Sequence, residues 1–134
     1  MLRDLAKHYY QDEDYNCAES ILRAANDMYE LHIDKEAMKL VSGFGAGMGC
    51  GHTCGALSGC IAAVSKYLVE GRAHATEGFR EDCGRLTVAF QQQLGSLLCE
   101  ELKAKYKKED THCLETVERA ADVLEQYMKE LEEQ

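Results

Sequence analysis

The sequence predicts an all-α protein, a compact single-domain bundle of about five to six helices with a glycine-rich loop before a central helix. Three observations lead there. Apolar residues recur at steps of three and four through each periodic segment. No segment alternates convincingly with period two, and no Asn-Gly or Asp-Gly hairpin signal is present. None of the 134 residues is proline, so little interrupts a helical backbone. A chain of this length fits one domain, residues 1–134, with a core of its own.

The first helix is expected over Leu2 to Gln11, with Leu2, Leu5, Ala6 and Tyr9 on one face, and the acids Asp12 to Asp14 break it. Asn16 is a candidate cap for the second, with Glu19 three residues on, a variant of the capping box. Ile21, Leu22, Ala25, Met28 and Tyr29 continue its apolar stripe. A third helix starts after Asp34 and carries Ala37, Met38 and Val41 into the glycine loop. The fourth follows Thr53, with Ala56, Leu57, Cys60, Ile61, Val64 and Leu68 in register. Gly71 to Ala75 reads as a short polar connection. The fifth helix spans about Glu77 to Leu94 through Phe79, Cys83, Leu86, Phe90 and Leu94. A turn or short helix then carries Leu97, Leu98 and Leu102. The last begins near His112, and its seam of Cys113, Val117, Ala120, Leu124, Tyr127 and Leu131 suits either the core or a second copy in a homodimer.

Charge and composition remove several function classes. A net charge of -9 argues against nucleic acid, whose phosphates reward clustered cations. The one basic run, Lys103 to Lys108, is followed by acids and reads as a solvated helix end. The longest apolar run, Ile61 to Val69, is broken by Ser65 and Lys66, too short for a membrane span. The N-terminal residues carry acids and lack the apolar core of an export signal, so a cytoplasmic protein is expected. Seven cysteines, an odd number without an export signal, point in a reducing compartment to metal or redox chemistry more than to a disulfide framework.

Residues 43–59 read GFGAGMGCGHTCGALSG, seven glycines in 17 positions. Glycine is costly to order, so this density marks backbone that must go where a side chain cannot. The loop runs into a helix beginning at Cys54. There the N–H groups of Gly45, Gly47, Gly49 and Gly55 are candidates to cradle a bound group, an anion or the sulfurs of a cluster. The plainer alternative is that the glycines permit close helix crossing. A phosphate loop is disfavoured, because there is no preceding strand and no GK[ST]. GALSG lacks the strand of a hydrolase elbow.

Cys17, Cys54 and Cys113 all fall at predicted helix starts, where unpaired N–H groups and the helix dipole favour a thiolate and a depressed pKa. Cys50-x3-Cys54-x5-Cys60 matches no zinc or ferredoxin spacing, and the absence of CxxCH excludes covalent c-type haem. Cys60 and Cys83 lie on apolar stripes and read as core. Cys50 is a candidate resolving thiol or spare ligand. His52, between Cys50 and Cys54, and His112, beside Cys113, are each a candidate base or ligand, with a solvent-facing side chain as the plainer reading.

NCAES at Asn16 to Ser20, GFGAGMG, CGALSG at Cys54 to Gly59, LCEEL around Cys99 and HCLETVERAADVL in the last helix occur in that order. Together they resemble the C-GCAxxG-C-C family, named for redox activity and related to a helical domain of split-Soret cytochromes. The resemblance implies that Cys17, Cys54, Cys99 and Cys113 are the functional set, catalytic or metal-ligating. Cys50, Cys60 and Cys83 are then extras of this chain. It implies electron transfer or thiol–disulfide relay, with an iron–sulfur cluster or another thiolate-bound metal among the expected cofactors. A redox partner protein or oxidoreductase is the expected partner. Cys54 is the expected nucleophile if the chemistry is thiol exchange. The alternatives are a metal-binding module without turnover and an interaction module that docks on an oxidoreductase.

Overall fold

In the computed structural model, which describes all 134 residues, seven α-helices follow one another and no strand forms. Helix α1, Leu2–Lys7, runs on through a wider turn at His8–Asp12. Helix α2 is Cys17–Tyr29, opened by the expected capping box: the Asn16 side chain accepts from the Glu19 N–H at 3.0 Å while Glu19 accepts from the Asn16 N–H. Helix α3 is a single turn, Lys35–Met38, capped by Asp34 and prolonged as a tighter 3₁₀ helix over Lys39–Phe44. Helices α4, α5 and α6 are Gly55–Leu68, Phe79–Leu94 and Cys99–Tyr106. Gly95, at φ 97°, ends α5. Helix α7 is Leu114–Glu132. The helix count exceeds the expected five to six because α3 and α6, both short, close separately.

One apolar cluster holds the molecule together, with Ile21, Val64, Leu86, Phe90, Val117 and Leu124 fully buried in it. Helices α2 and α4 cross so closely that a Cβ on Gly59 would lie 2.8 Å from the Ala18 carbonyl oxygen. Close crossing is therefore one use of the glycines. The α7 seam is spent on the chain itself: Val117, Ala120, Leu124 and Tyr127 are all buried. No helix is long and apolar enough to cross a membrane.

Two cysteines outside the four that the resemblance singles out were expected in the core, and one is there. Cys60 is fully buried, its thiol directed at the Ala120 carbonyl at 3.7 Å. Cys83 instead is partly exposed. The buried position on that turn belongs to Asp82, which accepts a hydrogen bond from the Tyr127 hydroxyl at 2.7 Å and pairs with Arg85. A satisfied carboxylate can occupy an apolar stripe, and this one rotates Cys83 outward.

Candidate functional site

Each of the four cysteines singled out by the resemblance sits at the start of a helix. Cys17 and Cys99 are the first residues of α2 and α6, and Cys54 and Cys113 cap α4 and α7. All four line one cavity of about 220 Å³. Residues 96 positions apart in the chain, Cys17 and Cys113, thus share a wall of the same small space.

Backbone contacts set this arrangement. Thr53 and Leu98 form an isolated antiparallel bridge. Through it the Cys54 N–H donates to the Leu97 carbonyl at 2.8 Å and the Cys99 N–H to the His52 carbonyl at 2.5 Å, clamping two helix starts side by side. A second bridge joins Lys108 to His112 and turns α6 back into α7. The Asn16 amide donates to the Ser42 carbonyl at 2.9 Å, tying the start of α2 to the segment that enters the glycine loop.

The loop itself fits against these cysteines. At Gly47, φ is +60° and a Cβ would stand 2.5 Å from that of Cys99, so only glycine fits. A Cβ on Gly45 would meet the Asn16 side chain at 2.5 Å, and one on Gly55 the Phe44 carbonyl oxygen at 2.7 Å. Gly49 faces open space. Of the four glycines expected to cradle a bound group, Gly55 alone lines the cavity; Gly45 and Gly47 hold the loop down around it.

The four thiols differ in acidity, and helix starts alone do not decide the order. Cys113 is the acidic one, lowered to about 6. The largest cause is hydrogen bonding with the Cys17 thiol, followed by the charges of Lys103 and Lys107 and a hydrogen bond from Tyr10, all against burial. Cys17 moves the opposite way, well up, because it is the donor in that thiol pair and is itself desolvated. Burial pushes Cys54 up to about 11, against the opposing pull of the Leu57 and Ala56 backbone N–H groups at the start of α4. Burial also raises Cys99, with Lys103 opposing. The expected depression therefore holds for Cys113 and fails for Cys17 and Cys54: at Cys54 removing a thiolate from water outweighs the helix terminus, and Cys17 is raised first by donating to Cys113 and then by burial. Cys54 is accordingly displaced by Cys113 as the candidate nucleophile.

Three contributors escaped the sequence reading. Lys103 and Lys107, taken for a solvated helix end, line the cavity. Part of their signal was available: Cys99 and Lys103 lie four apart on α6, with Lys107 four further on, just past its end. Tyr10 accepts from the Cys113 backbone N–H at 3.0 Å, and no local pattern links residues 103 positions apart. Cys50 is exposed, and its thiol points to the Gly47 carbonyl at 3.6 Å. His112 borders the cavity, and His52 contacts Thr53 Oγ1 at 3.0 Å.

Thiolates suit iron–sulfur and zinc centres, so the donor type is right for such a group. The arrangement is not a closed ligand set, because no three His, Cys, Asp or Glu side chains converge on one point at ligating distance. As arranged, the four sulfurs line one cavity without closing on a single ion. They do provide an acidic thiol beside a second, protonated one.

Searches of curated proteins and of solved structures return no match for this chain. A family model does match it, over residues 15–127, a span that takes in all four helix-start cysteines. The chain belongs to the family described as "Putative redox-active protein (C_GCAxxG_C_C)".

Proposed function

We propose that the protein is a thiol–disulfide relay working through Cys113 and Cys17. What carries this reading is that Cys17 and Cys113, at the starts of α2 and α7, line one cavity and are driven to opposed acidities there. The Cys113 thiolate attacks a disulfide sulfur of the oxidant, whose other sulfur leaves and takes up a proton. A mixed disulfide with Cys113 results. Cys17 then loses its proton and attacks the Cys113 sulfur, expelling the second sulfur as a thiol and leaving a Cys17–Cys113 disulfide. Two electrons pass from the protein to the oxidant. A partner oxidoreductase carrying a dithiol restores the reduced pair. Cys54 and Cys99, both raised in pKa, are held as neutral thiols beside them.

Mild oxidation of the reduced protein followed by peptide mapping tests this. The expected product is one intramolecular disulfide between Cys17 and Cys113, with two free thiols lost. Bridges confined to other cysteines would overturn the reading.

A second reading is an iron–sulfur cluster or zinc held by Cys17, Cys54, Cys99 and Cys113. It is favoured by their sharing one cavity; the lack of convergence at a point opposes a single zinc ion, whereas a cluster spreads its cysteines over separate irons. Iron, sulfide and zinc content of anaerobically purified protein separates the two readings.

A further inference from the structure

The cavity has a polarity opposite to that of the molecule. The chain carries 24 acids against 15 lysines and arginines. Even so, no carboxylate lines the cavity, and apart from the thiols and Tyr10 its ionisable walls are Lys103, Lys107 and His112. The neighbouring lysines on the same run are engaged: Lys105 donates to the Leu94 carbonyl at 3.2 Å, and Lys108 pairs with Glu115 at 3.1 Å. Lys103 and Lys107 take no carboxylate within 4.0 Å, unlike Lys39, Lys108 and Lys129. Solvation would account for exposed Lys107 alone, just past the end of α6. It does not account for both lysines lining the cavity that all four cysteines line, with Lys103 half-buried there.

Size narrows the occupant. Sites for drug-sized ligands span roughly 300–1,000 Å³. At about 220 Å³ this cavity takes something smaller, a short chain ending in a charged group. We infer that the oxidant received here is a low-molecular-weight disulfide bearing carboxylates, which Lys103 and Lys107 bind while one of its sulfurs meets Cys113. The inference rests on the thiol–disulfide reading above. In the step itself the substrate S–S bond breaks and a Cys113–substrate S–S bond forms. The first substrate thiolate leaves into solvent and is protonated there. Attack by Cys17 releases the second, and the two electrons come from the Cys17 and Cys113 sulfurs.

Reduced protein is mixed in low salt with dithiodipropionate (anionic), hydroxyethyl disulfide (neutral) or cystamine (cationic). Each rate is divided by that of free N-acetylcysteine amide, a thiol without a carboxylate, with the same disulfide, which removes intrinsic reactivity. A normalised preference of about tenfold for the anion over the neutral compound is expected, within the range of local electrostatic focusing. It should shrink in high salt. Lys103→Glu with Lys107→Glu should reverse the order, the milder Lys103→Gln with Lys107→Gln should abolish the preference, and exposed Lys66→Glu should retain it. Taking ratios between disulfides cancels any change in Cys113 acidity that these substitutions cause. Equal normalised rates for the three disulfides, or a preference that survives both lysine replacements, would overturn the inference while leaving the relay intact. Failure of all three to produce a Cys17–Cys113 disulfide would remove the relay itself.

Discussion

The Tyr10 hydroxyl oxygen accepts from the Cys113 backbone N–H at 3.0 Å, which ties the turn after α1 to the start of α7. That contact brings the hydroxyl to Cys113, whose thiolate it favours. Burial, with the nearby Cys17 thiol adding to it, raises the Tyr10 pKa, so the ring stays protonated and remains a donor.

Tyr10→Phe removes that donor while keeping the ring. Hydrogen bonds to charged groups contribute about 1.5–3 kcal/mol, so the midpoint for alkylation of Cys113 by iodoacetamide should rise by about one pH unit or more. An unchanged midpoint would show that the sulfur draws nothing from Tyr10.

In the unaltered protein, Cys113 alkylation should rise with a midpoint near 6, well below an ordinary thiol. Cys54, held up to about 11, should resist the reagent at neutral pH. Because Cys17 and Cys113 share a hydrogen bond, the two steps belong to the pair, and Cys17→Ala should move the first step upward. Mass spectrometry of tryptic peptides across pH 4 to 10 reads all three thiols at once.

Cys54 also links stability to alkali. Its folded pKa lies above its unfolded one, so the contribution is fully present below about pH 9 and is lost as pH rises toward about 11. In that window the unfolded chain has released a proton that the folded chain keeps, and the balance shifts toward unfolding. The urea midpoint should therefore fall between pH 9 and 11, and fall less in Cys54→Ala. Equal slopes for the two proteins would contradict the assignment.

Asn16→Ala should cost about 1 kcal/mol for the lost cap. More follows from the tie to Ser42. A drop in Tm of about 3–5 °C for each kcal/mol is expected in a chain of this size, measured by circular dichroism.

Gly47→Ala should be worse than its exposed neighbour Gly49→Ala. Both have positive φ, but only at Gly47 does the added Cβ strike the Cys99 Cβ and the His52 backbone. Strain alone is about 1 kcal/mol. The clash adds to it and displaces Cys99, so Gly47→Ala should lower Tm further than Gly49→Ala and alter Cys99 alkylation, which Gly49→Ala should leave unchanged.

Local backbone chemistry made much of this legible in advance. Asn16 and Glu19, three residues apart, specify the start of α2 without help from the rest of the chain, and stepping of apolar residues specifies the bundle. The same rules put Cys17, Cys54 and Cys113 at helix starts, and the motif resemblance added Cys99, which also begins a helix. The errors came where burial competes with local preference. At Cys83 the apolar stripe was the right feature, but Asp82 could take the inward position only because Tyr127, on a helix 45 residues away, satisfies it. For the thiols, a helix terminus is a short-range effect that four residues can reveal. Desolvation and the charges of Lys103 and Lys107 depend on how α6 and α7 close over the glycine loop. Position along the chain thus settled which sulfurs begin helices, while packing settled which one is acidic, because the energy of a thiolate is set by every group within a few ångströms, whatever its place in the sequence.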